Sequence, residues 1–492
     1  DYGAVIFHSL PLRIAYVLAG STDGPGAQHF VYSEIAPSSP YPDFPDYIYQ
    51  SAYKPQEWEG FYFGDLNRPS AELVLPPYYS GFGPVYPQAG PTNGAIPYFW
   101  MRSDWSANAT WASLHMGAAW YDDHQHPNAG HLEIKHGNDY LLIDASSWKG
   151  STGSIGIVGS SLEEEYAPSA LANTLHFNDF GEFQRGDQLF HGGQAVWGKD
   201  EVVAAEQTDA YSYVRSDLST AYNRSGDPAE QVSRRLDYFY RSVLYLRPAG
   251  DLFVVYDQVK AKNSTNAIGQ YRKHIRWHFP NRPTVAGKNA RVQQGKSSLN
   301  LDVLLPQSPV ITSVDEMSNP DPCDGSMAPC TSYGENSGTW RIEVKDASNP
   351  LFVPFLTVLQ PGAASTPPMA TSLLVSSDSS MIGARIVFPS GAMHVALFNN
   401  GSGQTPPPIT SVSYSVSNAS QTFHTLAGMK PSSKYAVTMT NPMVMVREDP
   451  SGTFQSSAAG VLQFGQAATS VKTADSQVPT VFALGACPTN MF

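Results

Sequence analysis

Cysteine, long apolar runs, helical periodicity and positive charge are all scarce in this 492-residue chain. There are three cysteines, Cys323, Cys330 and Cys487. The turn-rich segment PCDGSMAPC predicts a local Cys323–Cys330 disulfide, which leaves Cys487 unpaired. No apolar run approaches the roughly 18 residues that a membrane-spanning helix needs, so no such span is expected. Thirty basic residues against 43 acidic ones give a formal net charge of −13. That charge argues against nucleic acid or an anionic membrane as a partner, and against a heavily sulfated ligand unless its site is locally basic. Nucleophile-elbow chemistry has no support, because Gly-x-Ser-x-Gly does not occur. Gly150 to Gly159 has neither the lysine of a phosphate loop nor the spacing of a dinucleotide loop. No particular pair of acids suggests glycosidase chemistry.

Aromatic and turn residues are abundant instead. Aromatics make up 12% and hydrophobic residues 41% of the chain, with 40 glycines and 39 prolines. So much apolar surface is ample for burial, and many turns with few long helical patterns predict an all-β protein. At this length two or three domains are expected. Residues 1–95 read as the remnant of a helical domain plus a wrapping connector. Ala4 to Gly20 has helix-like spacing interrupted by Pro11, and the Pro- and Tyr-rich runs SPYPDFPDYIYQ and PPYYSGFGPVYP follow. Residues 96–362 read as a large two-sheet antiparallel β-sandwich. Its hairpin at Ser242–Leu246 and Leu252–Tyr256, joined by Pro248-Ala249-Gly250-Asp251, is the clearest signal. PGAASTPP (361–368) is the linker candidate, and residues 363–492 read as a small C-terminal β-sandwich. The chain opens at Asp1 without Met or a signal peptide. The expectation is a mature or trimmed product, exported to the medium, the cell surface or the periplasm. Asn-x-Ser/Thr sequons occur at Asn108, Asn223, Asn263, Asn400 and Asn418, and matter only in a eukaryotic secretory setting.

The densest chemistry lies between Asp123 and Asp144, in DHQHPNAGHLEIKHGNDYLLID. Four of the thirteen histidines fall here: His124, His126, His131 and His136. Imidazoles beside carboxylates serve both metal binding and proton transfer. His131 to His136 alternates as a strand, Gly137-Asn138-Asp139 supplies a turn, and Tyr140 to Ile143 returns. His131, Glu133 and Lys135 read as a solvated strand face, His136 as a turn residue, and Glu163 to Glu165 as a solvated acidic run. His274, Arg276 and His278 alternate onto one face, where Arg276 could hold a carboxylate bidentately. Arg102 is a similar candidate. The alternative for this stripe is an ordinary polar sheet face.

The order FWMRSDWS, ATWASLHMG, HQHPNAGHLEIKHGNDYLLIDAS, LANTLHFND and RSVLYLRPAGDLFVVYDQV resembles the central β-sandwich of the heparinase II/III-like polysaccharide lyases. The resemblance covers about residues 96 to 360, and more loosely the C-terminal sandwich. It implies an N-terminal (α/α) toroid, a large sandwich and a small one. The implied reaction is β-elimination of a uronic-acid glycan in a cleft between toroid and sandwich. By position it makes His124 the active-site histidine, and His126 and Asp144 two ligands of a structural zinc. It departs from the family pattern at three places. Asn128 stands where the pattern has Asp, and Ala172 where a third zinc-ligating histidine falls, with His176 two pleats on as a displaced substitute. Most of the toroid has no counterpart here, so its catalytic Tyr and Asn are unassigned, and a separate domain or chain would supply them. For His126 with Asp144 the alternative is a metal-free His–Asp hydrogen bond, and for His124 a loop histidine in solvent. The expected partner is an anionic polysaccharide. The rival expectation is a non-catalytic, glycan-binding or assembly protein descended from such a lyase.

Overall fold

A computed structural model describes residues 79–82, 98–104, 106–116, 128–145, 172–177, 184–185, 188–189, 194, 201–208, 210–222, 236–247, 250–262, 265–266, 269–270, 272–316, 318, 338–403, 405–417 and 421–465. The chain divides into two compact units, residues 1–77 and 78–492, and every described residue belongs to the second. The expected helix at 4–20 and all three cysteines lie outside the described residues.

The fold is all-β, as the turn-rich composition predicts. Among the described residues the one helical element is a single 3-10 turn, Ser219–Tyr222. Its frame is an eight-stranded sheet in the order Thr284–Ala286, Asn289–Gln294, Ser297–Leu305, Phe352–Ala363, Leu252–Ala261, Leu236–Leu246, Tyr211–Asp217, Glu201–Gln207. Its central strands read as nearly unbroken apolar runs because both faces are covered. Phe253, Val255 and Val259 point into one core, while Leu252, Val254 and Tyr256 point into another. Alternation of side chains across a strand makes that division automatic.

Two sheets share the first core. One is five-stranded, in the order Tyr79–Phe82, Tyr98–Arg102, Thr110–His115, Leu132–His136, Asp139–Leu142. The other is four-stranded, in the order Pro309–Asp315, Trp340–Asp346, Lys273–Phe279, Leu175–Phe177. Phe99, Met101, Leu114, Ile134, Ile275 and Trp277 meet the eight-stranded sheet there. This is the large sandwich. The hairpin expected at 131–143 is present, with Gly137 at a φ of 57° in its turn. The run read as part of a wrapping connector contributes an edge strand, Tyr79–Phe82, antiparallel to Tyr98–Arg102.

The small sandwich pairs a five-stranded sheet, led by Ala370–Val375, with a four-stranded one containing Ser411–Ser415 and Met443–Glu448. Its own core includes Met393, Val395, Tyr414, Tyr435 and Val446. Ile382, Ala384, Phe398 and Val461 pack onto the second face of the eight-stranded sheet. Polar contacts rim this junction: Tyr256 Oη donates to Asn400 Oδ1 at 2.7 Å, and Gln258 Nε2 to the Gly401 carbonyl at 3.1 Å. Pro361–Ala363, the first part of the expected linker, belongs to the strand Phe352–Ala363.

Because the two sandwiches share a buried apolar face, damage at that face should destabilise both. Phe398, 1% exposed, stacks on Tyr256 with ring centroids 5.5 Å apart. Phe398→Ala should cost about 3–5 kcal/mol, the usual range for a buried Phe truncated to Ala. Urea unfolding measures this, and an unchanged midpoint would show that the junction contributes nothing.

Candidate functional site

Two charges stand out in otherwise apolar strands, Arg241 and Asp257. The Leu236–Leu246 and Leu252–Ala261 pairing sets them directly opposite each other. Arg241 Nε donates to Asp257 Oδ1 at 2.8 Å and Nη2 to Oδ2 at 2.9 Å, with both residues buried. A buried pair is stable only when its geometry is good and its other hydrogen-bonding groups are used. Here Nη1 donates to the carbonyls of Asn173, at 2.7 Å, and Gly130. Burial pushes the Asp257 carboxyl up, and the guanidinium fork opposes that shift.

Through Gly130 the pair grips the segment that follows the His-x-His sequence. Ala129 is clasped on both sides by Gln194, whose Oε1 accepts from the Ala129 N–H at 2.9 Å and whose Nε2 donates to the Ala129 carbonyl at 2.8 Å. Thr174 Oγ1 donates to the same carbonyl at 2.8 Å. The Gly130 N–H donates to the His115 carbonyl at 2.6 Å, and His115 Nδ1 meets Asn128 Oδ1. Gly130 has a φ of 84°, and a Cβ there would come 2.6 Å from Leu218 Cδ1 and 2.8 Å from Thr174 Oγ1. Only glycine fits. Asn128 thus takes part in a structural contact where the family pattern has Asp.

Asn173 joins the strands around this segment. Its backbone N–H donates to His131 Nδ1 at 2.9 Å, and its side-chain amide donates to the carbonyls of Leu132 and Ile143. Its Oδ1 accepts from the His278 N–H at 2.6 Å. His131 is therefore buried, with Nε2 facing Glu133 at 3.2 Å, and is not part of the solvated face read from its alternation. His124 and His126 lie outside the described residues; what the structure describes is the clamped stretch that begins two residues after His126.

His274, Arg276 and His278 do share one face, as their spacing predicts, with His176 opposite His274 on the neighbouring strand. The face is buried: His274 and His278 are 0% exposed, Arg276 1% and His176 5%. Trp340–Asp346 supplies the counter-charges, with Glu343 opposite Arg276 and Arg341 opposite His278. Arg276 Nη2 lies 2.9 Å from Glu343 Oε1, Arg341 Nε 2.9 Å from the same oxygen, and Arg341 Nη1 2.5 Å from Glu316 Oε1. His278 Nε2 is 3.4 Å from Glu316, and His274 Nδ1 is 3.6 Å from Glu343. Among the buried groups two guanidiniums balance two carboxylates, and Lys345, opposite His274, adds a positive charge at the end of the stripe. Burial lowers all three histidines, His176 well below the usual imidazole value, with Arg276 adding to the effect there. Burial opposes ionisation of Glu343 and Glu316, but the contacts with His274 and His278 and the neighbouring arginines hold both below the usual carboxylate range.

Of the residues nominated for zinc, Asp144 and His176 are described, and they lie towards opposite ends of Lys273–Phe279. The Ile143 N–H donates to the His278 carbonyl and the Asp144 carbonyl accepts from Gly338, which puts Asp144 at the His278 end of Lys273–Phe279. His176 pairs with His274, four residues away, or about 13 Å along a strand. Zinc ligands must all lie about 2.0–2.3 Å from one ion. Among the described residues no group of three or more His, Cys, Asp or Glu is arranged to hold a metal. Arg102 is mostly covered, its guanidinium carbon 3.8 Å from the Trp111 ring centroid.

No protein-family model and no curated protein sequence matches this chain. Solved structures similar to it include a heparinase III, 13% identical, covering 74% of this chain and 45% of its own, at a TM-score of 0.43. A heparan sulfate lyase from Pedobacter heparinus is also 13% identical, covering 73% of this chain and 46% of its own at 0.43. A chondroitin AC lyase from Streptomyces coelicolor A3 is 11% identical, covering 93% and 58% at 0.34. The chain spans less than half the length of the first two. At these identities and scores no residue's role is carried over from them.

Sequence reading found the alternating stripe but missed Arg241, Asp257, Asn173, Gln194, Glu316, Arg341 and Glu343. The signal for Arg241 and Asp257 was present, as charges in the middle of two largely apolar strands. Asp257→Asn should cost about 3–5 kcal/mol, because it leaves Arg241 buried without its counter-charge. Chemical denaturation would measure this, and a loss below about 1 kcal/mol would show that the pair does not hold the segment. The stripe also sets a pH dependence. Groups whose folded pKa is depressed stabilise fully above their unfolded value and lose that contribution as pH falls. Stability should therefore drop from about pH 6.5 downward as His176, His274 and His278 are forced to charge. His394, lowered by burial to about 4, and His424, to about 3, act in the same sense, and Glu343 and Glu316 join below about pH 4.5. A urea midpoint that stays level from pH 7.5 to pH 5 would contradict the buried neutral histidines.

Proposed function

We propose that this chain is the β-sandwich part of a polysaccharide lyase that cleaves a uronic-acid glycan by β-elimination, with His124 in the proton transfer. The observation that carries this reading is the clamp on Asn128–Gly130. A buried ion pair, a glutamine clasp and a left-handed glycine fix the chain just after His-x-His, and catalysis requires a positioned side chain. The order of sequence motifs supports the same reading.

In the reaction a base takes the proton from C5 of the uronate, a double bond forms between C4 and C5, and the C4–O bond breaks. The departing oxygen receives a proton, and the carboxylate charge must be neutralised throughout. An imidazole with an ordinary pKa near 6.5 can take the C5 proton or pair with the carboxylate. Of the residues expected to hold substrate, His274, Arg276 and His278 are buried, with Arg276 committed to Glu343, and Arg102 is mostly covered, so the substrate carboxylate falls to other groups of the cleft. A toroid domain or a separate chain would complete the cleft, and an exported location suits a polymeric substrate.

A second reading is a non-catalytic glycan-binding or assembly protein of the same descent. The use of Asn128 in a structural contact and the buried Ala172 in place of a ligand favour it.

The test is incubation of the full-length protein with a panel of uronic-acid polysaccharides, following the ultraviolet absorbance of the unsaturated product. Absorbance should rise with at least one member, and His124→Ala should lower the rate by about a hundredfold or more. Glycan binding with no absorbance change would give the second reading. Metal analysis of the same protein tests the zinc expectation: one equivalent, lost in His126→Ala, is what that expectation requires, and zinc-free protein overturns it.

A further inference from the structure

The five-stranded sheet buries one face in the first core, and its other face is partly open, with Trp100 and Trp111 exposed and Lys135 and Tyr140 half-buried. On that outer face the register aligns four residues in a row across four strands. Arg102 is opposite Trp111, Trp111 opposite Lys135, and Lys135 opposite Tyr140. Cations and aromatic rings alternate along the row, which covers three strand spacings, or about 14 Å. Trp100, opposite Ser113, lies diagonally from Trp111, about 7–8 Å away as such neighbours do. Trp111 is 40% exposed and Trp100 37%, and these are the two tryptophans among the exposed large hydrophobics of the described residues. Two partly exposed indoles on one sheet face offer a flat apolar surface on which a ring could stack.

The chemistry around the row indicates which ligand. Arg102 is mostly covered; its guanidinium stacks on Trp111 and its Nε donates to the Asp104 carbonyl, so it fixes the indole. The Lys135 ammonium stands 5.2 Å from the Tyr140 ring centre and makes no ion pair among the described residues. The nearby carboxylates are engaged by protein donors. Glu133 accepts from the Ser113 hydroxyl at 3.2 Å and faces His131 Nε2 at 3.2 Å, and Asp104 accepts from the Ser106 N–H at 2.6 Å and the Ser103 hydroxyl at 3.0 Å. A pyranose ring offers weakly positive C–H hydrogens to the negative face of an indole, and a uronate adds a carboxylate for the cation.

We propose that this outer face binds an acidic polysaccharide, laid across the strands along Arg102, Trp111, Lys135 and Tyr140 with Trp100 beside them. The ligand class is that of the proposed lyase activity, but the residues are separate from His124, so this surface holds substrate polymer whether or not the chain cleaves it.

Calorimetric titration of the full-length protein with alginate and hyaluronan oligosaccharides tests this, with a cello-oligosaccharide as the neutral arm. At least one acidic oligosaccharide should bind, more weakly as salt is raised. Trp111→Ala should weaken binding roughly tenfold, as expected when a stacking contact is lost. Lys135→Gln should weaken the acidic ligand and flatten the salt dependence. Trp111→Phe, which keeps a ring and the fold, should restore most of the affinity. No binding by the wild type, or full binding by both Trp111→Ala and Lys135→Gln, overturns the site. Equal, salt-independent binding of the neutral glycan overturns the acidic assignment. Binding without any cleavage leaves this inference standing and removes only the lyase reading.

Discussion

The bidentate bond between Arg241 and Asp257 is the interaction on which the rest of the large sandwich depends. It lies where the eight-stranded sheet meets the two sheets packed on its first face, and it reaches both through one guanidinium. Two donors satisfy Asp257, and the third nitrogen holds the carbonyls of Gly130 and Asn173. Asn173 then ties together Leu132, Ile143 and His278. Remove the charge on either side and the other is left in a dry interior, at a cost of about 3–5 kcal/mol. The position of the chain after His-x-His is therefore coupled to the integrity of the core.

The second organising feature is charge balance on the four-stranded sheet. Its inward face, with Ile275, Trp277, Ile342 and Val344, is ordinary core. Its other face buries two arginines, two glutamates and three histidines. Such a face survives burial because its charges cancel locally, and it leaves the imidazoles neutral at physiological pH. A neutral imidazole can accept a proton, whereas an arginine bound to Glu343 has little left for a substrate carboxylate. The outer face of the five-stranded sheet differs, with Trp100 and Trp111 exposed and Lys135 half-buried beside them.

Much of the architecture was legible in the sequence. Period-two alternation located the hairpin at 131–143 and the strand carrying His274, Arg276 and His278. Strands such as Tyr211–Asp217 and Pro309–Asp315 escaped notice because their patterns lack flanking turn signals or clean alternation. Fewer site residues were legible. Arg241 and Asp257 are sixteen positions apart, and only the pairing register makes them partners. Glu343 and Glu316 come from segments far from the histidines they face.

The sequence by itself determined the all-β class, the strand faces and the His-x-His stretch with its glycine, since these follow from local sterics and side-chain alternation. Only the tertiary structure decided which faces are covered. A strand's pattern shows that His274, Arg276 and His278 point the same way, but not whether water or protein lies beyond them. That is settled by which sheets stack, and it turned an expected polar stripe into a buried, charge-balanced network. The same stacking left Trp111 and Lys135 on the solvent side of a neighbouring sheet.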